Sequence, residues 1–115
     1  MSNRLIPVFT RREIAAVRES DIVFAESQGR TVIIHTNERD YRYYGKLSAL
    51  KEMLGQSFYT CHTSIVVNFD KVACVKDGAL RMEGGQVVLM GKNAYLETRR
   101  SFISFLKMNC AGNRV

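Results

Sequence analysis

Cys61 and His62 stand side by side, and Ser64 follows two positions on. A thiol next to an imidazole is a pairing that nucleophilic catalysis employs, with a third group to orient the imidazole. Adjacent residues of a strand point to opposite faces, so a strand here keeps the two side chains apart. The sequence places no acidic third member beside them. Cys74 and Cys110 add thiols, but there is no CxxC pair. The spacing of Cys61, His62, Cys74 and Cys110 matches no common zinc site. Three cysteines, an odd count, argue against a secreted disulfide scaffold and for reduced thiols. Paired carboxylates and a glycine-rich phosphate loop are missing as well. The expected chemistry is recognition without catalysis, metal or cofactor.

Charge narrows what is recognised. Seventeen Lys and Arg face eleven Asp and Glu, a formal net charge of +6. Eleven of the seventeen are Arg, which suits planar, two-pronged contact with phosphates and guanines better than Lys does. A basic small domain fits nucleic acid, an anionic membrane surface, or solubility alone. Tyr41, Tyr43 and Tyr44 offer stacking platforms for single-stranded bases, or strand aromatics that pack. Arg99 and Arg100 offer phosphate contacts, or a solvated helix face pairing with Glu97.

The elements that must position these groups are short. At 115 residues, 46% hydrophobic and 24% charged, the chain has the size and composition of one ordinary domain. Its longest apolar runs, such as Val32-Ile33-Ile34 and Ile65-Val66-Val67, fall far below the roughly 18 residues of a membrane span. Pro7, Thr10, Arg11 and Arg12 interrupt any signal-peptide stretch, and a cytoplasmic chain is expected. Asp21 to Glu26 and Thr31 to Thr36 read as a hairpin around Ser27-Gln28-Gly29-Arg30. A turn at Asn37 to Asp40 leads to a strand at Tyr41 to Tyr44. Ile6 to Phe9 reads as a short strand, and Glu13 to Val17 as strand or helix. Leu47, Leu50 and Leu54 recur at helical spacing within Lys46 to Leu54, and Gly55 stands in the C′ position. Phe58 to Asp70 starts as a strand, while Ser64 before Ile65 could cap a short turn. Asp77-Gly78 and Gly84-Gly85 divide Lys71 to Met90 into a three-strand meander with two-residue hairpins. A last helix is predicted from Ala94 to Met108, capped by Asn93, with Leu96, Phe102, Ile103 and Leu106 as its apolar stripe.

This order carries a resemblance. The segment Asp-Ile-Val-Phe-Ala-Glu-Ser is followed by a Gly-Arg hairpin, an apolar strand ending in His35-Thr36, and the Leu-rich helix Leu47 to Leu54. Then comes the block Phe58-Tyr-Thr-Cys-His62-Thr-Ser64-Ile-Val-Val67-Asn68, a strand, a Gly-Gly hairpin and a terminal helix. From end to end this resembles the LytTR family of bacterial DNA-binding domains, and the block at Phe58 to Asn68 is its most specific part.

The resemblance implies a mainly β fold: an elongated arrangement of small antiparallel sheets, one helix between the strand sets and one at the C-terminus. It implies one such domain over residues 1–115, with no receiver domain in that length. Such domains are output domains of response regulators in two-component systems. They bind double-stranded promoter DNA, at tandem direct repeats, through loops that enter successive major grooves. Three loops then matter. The first is Ser27 to Arg30, with Gln28 and Arg30. The second follows His62, where the family often has Arg, Lys or Asn and this chain has Thr63. Thr63 still donates and accepts a hydrogen bond and can set a methyl near thymine. The third follows the last strand, where many members read Ser-Arg and this chain has Gly91-Lys92, then Asn93. Lys92 keeps the charge but lacks the planar fork.

The expected DNA contacts are thus Gln28, Arg30, Thr63, Ser64, Lys92, Asn93 and Arg100. Arg30, Lys92 and Thr63 reach into the grooves; the others position the backbone. His62 is expected to be buried and hydrogen-bonded, fixing the loop that presents Thr63 and Ser64. Asn68 is expected to bond local backbone in a turn. The expected function is sequence-specific duplex binding in transcription regulation. A single-stranded nucleic-acid or RNA module and a protein-interaction module stand as its rivals. A receiver domain in a longer parent protein remains a candidate partner; a membrane does not.

Overall fold

The computed structural model describes residues 4–62 and 64–109. It comprises two compact units, Met1–Asn68 and Phe69–Val115. In the first, β1 (Leu5–Phe9) and β2 (Ile14–Arg18) form an antiparallel ribbon. The alternative at Glu13 to Val17 therefore resolves as strand. Ala15 and Ala16 favour helix, but pairing with β1 sets Val17 opposite Ile6 and both are buried, which outweighs intrinsic propensity.

Five further strands make one sheet: β3 (Ile22–Gln28), β4 (Thr31–Thr36), β5 (Asp40–Tyr44), β6 (Phe58–His62) and β7 (Ile65–Asn68). Their order is β5-β4-β3-β7-β6, with every neighbouring pair antiparallel. The helix α1 (Leu47–Met53) lies between β5 and β6 in sequence. Leu47, Leu50 and Leu54 are all buried, joining Ile22, Ile34 and Phe58 in one apolar cluster with Ile6 and Val8 of the ribbon. Tyr41 and Tyr43 pack against that cluster, the structural alternative for two of the three tyrosines.

Gly55 follows α1 as expected, yet it does not take the left-handed conformation of a C′ glycine. Its N–H donates to the buried carboxylate of Glu19. A Cβ there would lie 3.2 Å from Glu19 Oε2, a tight approach that the carboxylate would have to relieve by a few tenths of an ångström. The second half of Phe58 to Asp70 is also settled: Ile65–Asn68 is strand β7, so Ser64 caps no helix.

The second unit holds β8 (Val72–Lys76), β9 (Ala79–Met82) and β10 (Val87–Leu89), in the order β10-β9-β8, and the helix α2 (Lys92–Asn109). Asp77 and Gly78 both have positive φ, 57° and 77°, the requirement of a type I′ hairpin. The second hairpin is longer than the two residues expected. Met82 N–H donates to Gln86 O and Gly85 N–H to Met82 O, giving a four-residue loop over 83–86. The apolar stripe of α2 also differs. Thr98 and Phe102 are its buried residues, whereas Leu96, Ile103 and Leu106 are exposed. Apolar residues cover much of this helix, so spacing alone does not choose a face. Phe69 chooses it: its ring meets Phe102 at 5.2 Å and Phe105 at 5.4 Å between centroids. The mainly β architecture of small antiparallel sheets with two helices is the one expected.

Candidate nucleic-acid interface

One end of the five-stranded sheet gathers two of the expected loops. Gln28 pairs with Thr31, so Gly29 and Arg30 alone form the β3–β4 turn. Gly29 has φ 61°, a conformation that suits glycine at the first central position of a type II′ turn. Gln28 and Arg30 are exposed at its tip. The β6–β7 turn lies at the same end, because Glu26 pairs with Ile65 and Ser27 N–H donates to Ser64 O at 3.0 Å. Thr63, the expected groove contact of that turn, lies outside the described residues.

His62 is exposed, contrary to the burial expected of it. Its Nδ1 accepts the Ser64 N–H at 3.2 Å and lies 2.9 Å from Ser64 Oγ. Being the last residue of β6, it points outward, while Cys61 points inward and is buried. A strand irregularity between Thr60 and His62 brackets that cysteine. The thiol and imidazole thus diverge. Burial pushes the Cys61 thiol up to about 11, so it is protonated at neutral pH and a poor nucleophile. Among the described residues, no three His, Cys, Asp or Glu side chains gather to hold a metal. Asn68, expected to bond local backbone, also reaches across the sheet. It is buried at the end of β7, and its Nδ2 donates at 2.8 Å to Ile22 O, 46 residues away. It ties β7 to the start of β3.

The second unit carries the third expected group. Tyr95 N–H donates to Gly91 O, the first bond of α2, so Gly91 is the cap and Asn93 lies inside the first turn. Asn93 was expected to be that cap. The backbone amides of Lys92 and Asn93 belong to the unsatisfied donors of a helix start, where the dipole favours anions. Lys92, Asn93 and Arg100 are all exposed. Asn93 and Arg100 are seven residues apart, two turns along one face and about 10 Å of rise.

Lys46 and Ser48 were not expected at this surface, and Tyr44 was expected there only as a stacking platform for single-stranded bases. Tyr44 pairs with Thr31, and Gly45 N–H donates to Arg30 O at 3.0 Å, so the β5–α1 corner sits beside the Arg30 turn. A groove of about 620 Å³ there is lined by Ser27, Arg30, Tyr44, Lys46 and Ser48, among others. Tyr44 is 85% exposed. Neither Arg30 nor Lys46 makes an ion pair among the described residues. Only strand register brings positions 30 and 44 together, and register is not legible in residue spacing.

These features are those of a small β protein that presents cations and hydroxyls on turns. The family of LytTr DNA-binding domains matches residues 12–106, and the chain belongs to that family. Among solved structures, the chain resembles the LytTr DNA-binding domain of a protein described as a methyl-accepting/DNA response regulator from Bacillus cereus. The TM-score is 0.73 at 19% identity, over 90% of this chain and 100% of the other, a likeness of fold. No curated protein matches the chain. Among the described residues no helix is long and apolar enough to cross a membrane.

Proposed function

We propose that this chain is a sequence-specific duplex-DNA-binding output domain of a transcriptional regulator, acting as one domain in the cytoplasm. The observation that carries the reading, in a chain of this family, is the sheet end. There the Arg30 turn, the His62 and Ser64 turn and the β5–α1 corner lie side by side, with Arg30 and Lys46 making no ion pair among the described residues. Arg30, Lys92 and Thr63 read the grooves. Gln28, Ser64, Asn93 and Arg100 hold the phosphate backbone, with the first-turn amides of α2 adding donors. His62 positions Ser64 through its Nδ1, and Asn68 keeps β7 in register with β3. Tandem repeats in a promoter are the target, and a receiver domain in a longer parent protein supplies the control.

Competition in fluorescence anisotropy tests the class of nucleic acid. A labelled duplex should be displaced by unlabelled duplex and only weakly by a poly-pyrimidine single strand. Its affinity should fall steeply with salt, since each phosphate contact contributes about 0.9 to the slope of log K against log salt. Stronger displacement by the single strand would move the function to Tyr44 as a stacking platform. Absence of binding to either would leave a protein-interaction module.

A further inference from the structure

The β1–β2 ribbon has two faces. Ile6, Val8 and Val17 point into the core. The register sets Leu5 opposite Arg18, Pro7 opposite Ala16 and Phe9 opposite Ile14 on the other face, and all six are exposed. Phe9 is 68% and Ile14 78% accessible. Single exposed apolar residues are ordinary, but a contiguous row of them marks an interaction surface. The row runs into a second groove, of about 580 Å³, which Phe9, Arg11, Arg42 and Tyr44 help to line. That volume is within the range of pockets that enclose a bound group.

We propose that this face docks a partner protein segment whose apolar side chains are flanked by carboxylates. Charge selects that occupant. Arg11, Arg18 and Arg42 are exposed and make no ion pair among the described residues. The one acid of the ribbon, Glu13, is engaged already: Arg39 Nη2 lies 2.6 Å from its Oε2. That hydrogen bond holds the Glu13 carboxyl below its ordinary range. The rim therefore presents uncompensated guanidinium groups around apolar residues. A second copy docked face to face would set arginines against arginines, which is repulsive. Duplex DNA would satisfy the arginines but give Leu5, Phe9 and Ile14 nothing to bury against. An acidic, apolar protein segment satisfies both, with carboxylates on the planar guanidinium forks and side chains in the groove.

The test is a nitrogen-15 NMR titration of the full chain with a synthetic peptide alternating Glu with Leu and Phe. Saturable shifts of the Phe9, Arg11 and Ile14 amides below about 1 mM peptide are expected. The double variant Phe9→Ser, Arg11→Glu should weaken this binding at least about tenfold. Both positions are exposed, so the fold should survive, as an unchanged spectrum elsewhere would verify. Phe9→Ser alone should leave duplex-DNA affinity intact, which separates this surface from the DNA-binding reading. The same peptide with Lys in place of Glu should not bind. Equal binding of both peptides, shifts centred on Arg30 or Lys92, or no saturable shift would overturn the proposal. Self-association of the free chain that Phe9→Ser abolishes would assign the face to a second copy instead, and would overturn it too.

Discussion

Ile34→Ala is expected to lower the unfolding free energy by about 2–5 kcal/mol. Ile34 is fully buried in the middle of β4, between Ala25 of β3 and Tyr41 of β5. Truncation removes three carbons from a cluster that also contains Leu50, Val32 and Phe58. The strands on both sides are held by their ladders, so the space cannot collapse easily and a cavity penalty adds to the transfer loss. Ile14→Ala is the internal control. The same chemical change at a 78% exposed position should alter stability by less than about 0.5 kcal/mol. Urea denaturation of the three proteins measures both. Equal losses would mean that the assigned core is wrong; a large loss at Ile34 alone agrees with it.

Arg30→Ala and Lys92→Ala should each weaken duplex binding by about 1–3 kcal/mol if the side chain reads a base, roughly 5- to 150-fold. Arg30 stands on a two-residue turn whose backbone is fixed by the Gln28–Thr31 pair and by Gly45 N–H on its carbonyl. Little ordering of the backbone is then left for binding, and the loss should appear as interaction energy. Lys92 begins α2, where its ammonium adds to the field of the helix start. The two kinds of contact separate in the data. A base contact gives a loss that is largest on the cognate sequence, with relaxed specificity at one position. A phosphate contact weakens all duplexes alike and lowers the salt slope by about one. Unchanged affinity on every duplex would remove that residue from the interface.

Much of this was legible in residue order. Glycine at 29 and the β-branched runs on either side announced the β3–β4 hairpin, and the leucine spacing announced α1. Both are local signals, in which side-chain type and backbone conformation agree. The failures share a cause, which is that distant residues decided them. Phe69 selects the aromatic side of α2 over Leu96, Ile103 and Leu106. The buried Glu19 carboxylate, not a left-handed bend, occupies the space beside Gly55. The long-range bond of Asn68 to Ile22 was invisible for the same reason. In the candidate site, Arg30 is visible as a basic residue in a turn. Tyr44 is visible only as a stacking aromatic and Lys46 not as a contact at all, because β-register brings their corner beside it. His62 was expected inside because an imidazole can serve a buried loop. A terminal strand position puts it outside, and it reaches Ser64 from there.

Selection from a randomised duplex pool, followed by salt titration of the winners in fluorescence anisotropy, shows whether the chain reads duplex sequence. An enriched motif, repeated about one helical turn (~10 bp) apart, is the expected result, with a salt slope that counts several phosphates. Binding without enrichment, or none even at low salt, would contradict it.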